Sequence, residues 1–177
     1  PELLVLHNDA NRPPADTAVW HSDVTWRLEP SLGSILIARK VPEVGGDTLF
    51  ANMEAAYQGL DDETKALITG RRAIHQFEPM RQYLLQSGAD AEKMAKFEKK
   101  YPKTTHPIVR SHPITGEKSI FVNRLFTVGM EGMADAEALP LLDKLFASAS
   151  QPEYQCRFRW RKHLSLIHIS EPTRLEP

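Results

Sequence analysis

A single cysteine, Cys156, stands in a chain of 177 residues, so no internal disulfide is available to it. That usage fits a reducing, cytoplasmic setting. Charge of either sign is not in excess: the formal net charge is -1, with 22 Lys and Arg against 23 Asp and Glu. The sequence therefore makes no electrostatic case for nucleic acid or an anionic membrane as partner. Long apolar runs are missing too; none approaches the length of a bilayer span, and no signal-peptide pattern opens the chain. Internal repeats and low-complexity stretches are also lacking. What remains, with hydrophobic residues at 41% and charged residues at 25%, is the composition of one globular domain with a sizeable core. The opening PELLVLHND lacks a methionine and already reads as a strand, as a fragment would.

Strand signals outnumber helix signals. ELLVL (residues 2–6), TAVWHSDVTW (17–26), SILIARKV (34–41), TLFA (48–51), AIHQF (73–77) and YQCRFRWR (154–161) read as strands or extended segments. HPIVRSHP and SIFVN flank PITGEK as a hairpin turning at Gly116. Asn52 and Asp61 are placed to cap helices running to Gly59 and Gly70. A charged helix is expected over 90–100, and an amphipathic one over 135–149 with Leu139, Leu142, Leu145 and Phe146 inward. Cys156 reads as a small buried hydrophobe, and Arg157, Arg159 and Arg161 as one solvated strand face. The expected fold class is mostly β with peripheral helices (α+β), a sandwich or barrel carrying helices outside.

WHSDVTW carries the chemistry. On an extended segment the side chains of His21 and Asp23 leave from one face and can reach one point. An imidazole nitrogen and a carboxylate oxygen make two-thirds of the facial triad that holds non-haem Fe(II), and Trp20 and Trp26 would wall the site. The motif alone also suits a hydrogen-bonded surface pair, a zinc site for hydrolysis, or a jelly-roll module that binds no metal. His106 and His112 each precede a proline and read as structural, and His7 and His75 bring no partner at ligand spacing, so all four stay outside the site.

Taken in order, WHSDVTW, GSILIARKVPEVGGDTLFANMEAAYQGL, HPIVRSHPITGEKSIFVNRLFT and PEYQCRFRWR resemble the taurine dioxygenase-like (TauD/TfdA) family of Fe(II)- and 2-oxoglutarate-dependent dioxygenases. The resemblance runs from about His7 to Arg161. It implies an incomplete double-stranded β-helix (jelly roll) with Fe(II) as cofactor and 2-oxoglutarate as co-substrate. It makes His21 and Asp23 the first two metal ligands and gives Thr48 a carboxylate of 2-oxoglutarate to bind. Asn123 and Phe126 would lie near the substrate, as would Thr17, which stands four residues before the first ligand where the taurine branch has asparagine. The implied partners are 2-oxoglutarate, dioxygen and a small sulfonate or sulfate ester, and the sequence is compatible with a homo-oligomer. The family's second histidine and its arginine, expected beyond a W-D-N-R-like segment, find no counterpart after FRWRK. Residues 164–177, LSLIHISEPTRLEP, read instead as a translated sequencing-library adapter. Neither His163 nor His168 has the flanking residues of the distal ligand. The dioxygenase domain is thus expected over 1–163, with a non-native tail after it and weak iron binding by this fragment.

Overall fold

Short polar side chains start the helices. The structure, a computed structural model, describes residues 5–7, 19–31 and 33–169. In it Asn52 opens α1 (Met53–Gln58) by accepting at Oδ1 from the backbone N–H groups of Glu54 and Ala55, both at 3.0 Å. Asp61 opens α2 (Asp62–Ile68), accepting from Thr64 N at 2.7 Å, and Asp90 opens α4 (Ala91–Lys100), accepting from Lys93 N at 2.8 Å. Each takes up an N–H that the first helical turn cannot satisfy itself. Helix α3 (Glu78–Gln86) was not expected: it is polar and buries no residue, and Pro79 sits in its first turn, where an N–H is not needed. Helix α5 (Asp135–Ser148) turns Ala138, Leu142 and Leu145 into the core, while Leu139, expected inward, is exposed.

Among the described residues the strands are β1 (Gly33–Ile37), β2 (Thr48–Ala51), β3 (Arg72–His75), β4 (Thr104–Pro107), β5 (Val109–Ser111), β6 (Lys118–Ile120), β7 (Thr127–Met130), β8 (Gln155–Phe158) and β9 (Ser165–Ile169). All their pairings are antiparallel. Strand β3 lies between β4 and β7; β1 pairs with β9, β2 with β8, and β5 with β6. The last pair is the expected hairpin, with Gly116 at φ +73° in its turn. Strands outnumber helices, the sheets are small and open, and no barrel closes among the described residues. Ile68, Ala73, Ile108, Ile120, Met130, Leu142 and Leu145 form one buried core beneath the β4–β3–β7 sheet, α1, α2 and α5. No helix among the described residues is long and apolar enough to cross a membrane.

Several local readings need correction. Val5 and Leu6 belong to no strand and are exposed; the rest of the ELLVL segment lies outside the described residues. Strand β1 ends at Ile37, short of Val41, and β8 ends at Phe158. Cys156, expected to be buried, is exposed on β8, whose one partner strand among the described residues is β2. Of the TAVWHSDVTW segment expected as a strand, residues 23–26 form a turn, residues 19–22 belong to no strand, and Thr17 and Ala18 lie outside the described residues.

Candidate metal centre

Residues 23–26 form a turn closed by Arg27 N donating to Val24 O at 2.9 Å. Val24 sits at φ +49°, a left-handed conformation that a β-branched residue resists. Strand alternation therefore does not bring the pair together; the turn does. His21 Nε2 lies 3.6 Å from Asp23 Oδ1, and solvent reaches both side chains. His21 Nδ1 is 2.8 Å from the carbonyl oxygen of Val19. A carbonyl only accepts, so in the neutral ring Nδ1 carries the proton and the Nε2 lone pair faces Asp23. Ser34 Oγ on β1 donates to Asp23 Oδ2 at 2.9 Å, which ties down the far oxygen and directs Oδ1 to the imidazole.

Asp23 raises the His21 pKa above its ordinary value, chiefly through the hydrogen bond that a protonated Nε2 gives its carboxylate; burial opposes this, and the Val19 carbonyl and the Asp23 charge reinforce it. The pair thus attracts positive charge, whether a proton or a metal ion. Two donors of this kind, each braced on its outer atom, suit adjacent positions on one cation. Among the described residues no cluster of three His, Cys, Asp or Glu side chains is placed to hold a metal.

Phe126 meets the site directly: its ring and the His21 imidazole are edge to face, with centroids 6.4 Å apart. Phe126 is buried and also lies against Phe77, on which Trp26 stacks at 4.6 Å. Trp26 thus supports the loop from the aromatic layer behind it, with Tyr101 at its edge. Asn123, also buried, accepts at Oδ1 from Phe126 N at 3.0 Å, and its Nδ2 donates to Thr25 Oγ1 at 3.1 Å. Thr48 lies in a separate sheet, on β2, and accepts from Trp160 Nε1 at 2.9 Å. That bond uses an oxygen lone pair and leaves the hydroxyl proton to be given to a carboxylate. Thr17 lies outside the described residues.

Ser34 and Thr25 are the side chains on the pair's loop and its strand that sequence reading passed over. Thr25 was visible as a hydroxyl inside an aromatic-rich run, and Ser34 as the first polar residue of an apolar strand. His75 and His106 are buried and hydrogen-bonded within the fold. His106 donates from Nε2 to Arg27 O at 3.0 Å and receives Arg110 Nη2 at Nδ1, at 2.9 Å. Burial first, then the charges of His106 and Arg110, push the pKa of His75 down to about 3. His106 is lowered in the same way. His112 caps its own turn, with Nδ1 receiving the backbone N–H groups of Ile114 and Thr115.

Comparison with known proteins finds relatives over most of the chain. The model of the "Taurine catabolism dioxygenase TauD, TfdA family" matches residues 1–167. The (S)-phenoxypropionate/alpha-ketoglutarate-dioxygenase of Sphingobium herbicidovorans is 35% identical, over 75% of this chain and 47% of its own. The alpha-ketoglutarate-dependent sulfate ester dioxygenase of Pseudomonas putida is 32% identical, over 80% of this chain and 48% of its own. The crystal structure of AAD-2 in complex with Mn(II) and N-oxalylglycine superposes with a TM-score of 0.72 at 34% identity, covering 84% of this chain and 56% of that one. The chain spans about half the length, or less, of such curated relatives. The expected fold class, a jelly roll with peripheral helices, is the one these neighbours show. From His21 to Trp160 the turn, the braced pair and the sheets around them stand within one continuous match, and the chain belongs to the TauD, TfdA family.

Proposed function

We propose that this chain is the part of an Fe(II)- and 2-oxoglutarate-dependent dioxygenase that carries its first two metal ligands. The whole protein would act on a small sulfonate or sulfate ester. The observation that carries the reading is the convergence of His21 Nε2 and Asp23 Oδ1 at 3.6 Å, held by Val19 and Ser34 on the outer atoms. An imidazole and a carboxylate fit Fe(II) and fill two of the three protein positions of a facial triad. Bound there with 2-oxoglutarate, the iron would supply dioxygen activation coupled to oxidative decarboxylation, giving succinate and an oxidised substrate carbon.

The residues have simpler tasks. The Val19 carbonyl keeps the proton on Nδ1 of His21, so that Nε2 stays a donor to metal. Ser34 keeps one carboxylate oxygen of Asp23 from turning away. Thr48 offers its hydroxyl proton to a carboxylate of 2-oxoglutarate, and Phe126 forms an apolar wall on one side of His21. Thr17 and Asn123 are assigned to the substrate side. The setting is cytoplasmic, and the partners are small molecules with dioxygen. The dioxygenase domain occupies 1–163, and residues 164–177 are the adapter-derived tail, although Ser165–Ile169 pairs with β1. The parent gene read past the Lys162 codon tests that assignment: the distal histidine and arginine appear there, or the tail is genuine.

The Pseudomonas relative supports the sulfate ester; the Sphingobium relative favours a second substrate reading, an aryloxyalkanoate. Metal titration under anaerobic conditions tests the centre. Fe(II) binds weakly to this chain, and binding disappears in His21→Ala and Asp23→Ala; equal binding by all three sinks the proposal. Succinate formation by this chain should be slight. Turnover matching that of a full-length relative would show that the fragment reading is wrong.

A further inference from the structure

Thr25 is 1% exposed although it carries a hydroxyl and belongs to the loop that presents the metal pair. Two residues, one on the central sheet and one in the loop leading to it, hold that hydroxyl. Asn123, just before β7, donates to Oγ1 at 3.1 Å, and Nδ1 of His75, at the end of β3, is hydrogen-bonded to it at 3.0 Å. His75 is completely buried and its Nε2 has no hydrogen-bond partner among the described residues, so the contact with Thr25 is what satisfies this ring there.

The contacts close on themselves. Asn123 Oδ1 accepts from Phe126 N, and the Phe126 ring stands edge to face with His21. From Asp23 the chain runs two residues to Thr25, crosses to Asn123, and returns through Phe126 to His21. Within that circuit Val24 holds a left-handed backbone conformation unsuited to valine. One turn hydrogen bond, Arg27 N to Val24 O, is the local restraint; a residue so strained persists where its surroundings over-determine it.

We propose that Thr25 is a positioning residue for the metal pair: its buried hydroxyl, gripped by His75 and Asn123, fixes the strained turn at Val24 and keeps the Asp23 carboxylate converging on the His21 imidazole. The role rests on the dioxygenase reading for its purpose and on the contacts alone for its geometry.

The experiment compares the parent chain with Thr25→Ser, Thr25→Val and, as a stability control in the core, Ile68→Val. Two quantities are read: amide hydrogen exchange over residues 19–31 without metal, and Co(II) affinity by titration. Thr25→Val should speed exchange in that segment and weaken Co(II) binding about tenfold or more, the usual scale for groups that orient metal ligands. Thr25→Ser, which restores the hydroxyl, should match the parent in both. Ile68→Val should lower the melting temperature without either change. Should the valine variant fail to fold, Thr25→Ala carries the same expectation with less bulk. Unaltered exchange without the hydroxyl, or a Co(II) loss no greater than in Ile68→Val, overturns the proposal. If the parent binds no Co(II) while exchange still responds to Thr25→Val and not to Thr25→Ser, the metal reading fails and the positioning of the pair stands.

Discussion

Around β3, two partner strands, the hairpin and helix α5 bury Ile68, Ile108, Leu142 and Leu145 almost completely, whereas among the described residues β1 and β2 each have one partner strand and leave Ile35, Ile37 and Leu49 exposed. The loop with His21 and Asp23 bridges these two regions. Ser34 on β1 holds it from the thin side; His75, His106 and Asn123 hold it from the thick side. Stability is concentrated in one part of the molecule and the donor atoms are presented at its margin. Substitutions in the two regions should therefore differ in kind: central ones unfold the protein, marginal ones release the pair or change its association.

The largest effect should come from the centre. Leu142→Ala leaves a cavity under the sheet and should cost about 2–5 kcal/mol in urea unfolding. A loss under 1 kcal/mol would mean that the centre is no better packed than the margin.

Acid should strike the same region. His75 has its pKa pushed down to about 3, by burial before the charges of His106 and Arg110. Its ordinary value is 6.5, so between pH 6.5 and about 3 the unfolded chain binds the proton and the folded chain does not. Stability is then complete above pH 6.5 and falls as the pH drops, by about 2 kcal/mol between pH 7 and pH 5 for this one group. His106, also lowered, adds to the same slope. In His75→Asn, whose amide can still reach Thr25, the slope should flatten by close to one proton. An unchanged slope would show that His75 is not the group responsible.

How legible all this was depended on how far each signal acts. Asn52 and Asp61 cap helices through their own next few residues, and Gly116 turns its hairpin locally, so sequence alone located them. The pairing of His21 with Asp23 was also read, though by the wrong route. Alternation along a strand was the premise, whereas tertiary hydrogen bonds to Thr25 from residues 50 and 98 positions away accompany the strained turn. Such long-range restraint leaves no periodic trace. Helix α3 escaped notice because it is short, polar on average, carries a proline in its first turn and turns no residue fully into the core. Leu139 was assigned inward by a spacing one step from the stripe that is buried, Ala138, Leu142 and Leu145.

A smaller effect separates the helix ends from the core. Asn52→Ala leaves the N–H groups of Glu54 and Ala55 to water and should lower stability by about 1 kcal/mol by chemical denaturation. Asn52→Asp should retain most of it, since a carboxylate accepts the same bonds and favours a helix N-terminus.

The margin gives the smallest change in stability and the most specific one in behaviour. Ile35 and Ile37 point to one face of β1 and are 69% and 50% exposed. Ile35 is opposite Ile167 in the β1–β9 pair, so its backbone hydrogen bonds survive a change of side chain. Ile35→Lys removes apolar surface that water already covers and should alter unfolding free energy by no more than about 0.5 kcal/mol. Concentration-dependent light scattering should nevertheless fall, because a lysine on a short two-stranded sheet discourages pairing with other chains. A cost above 1 kcal/mol would place Ile35 under cover in solution, and the contrast between centre and margin would then fail at β1.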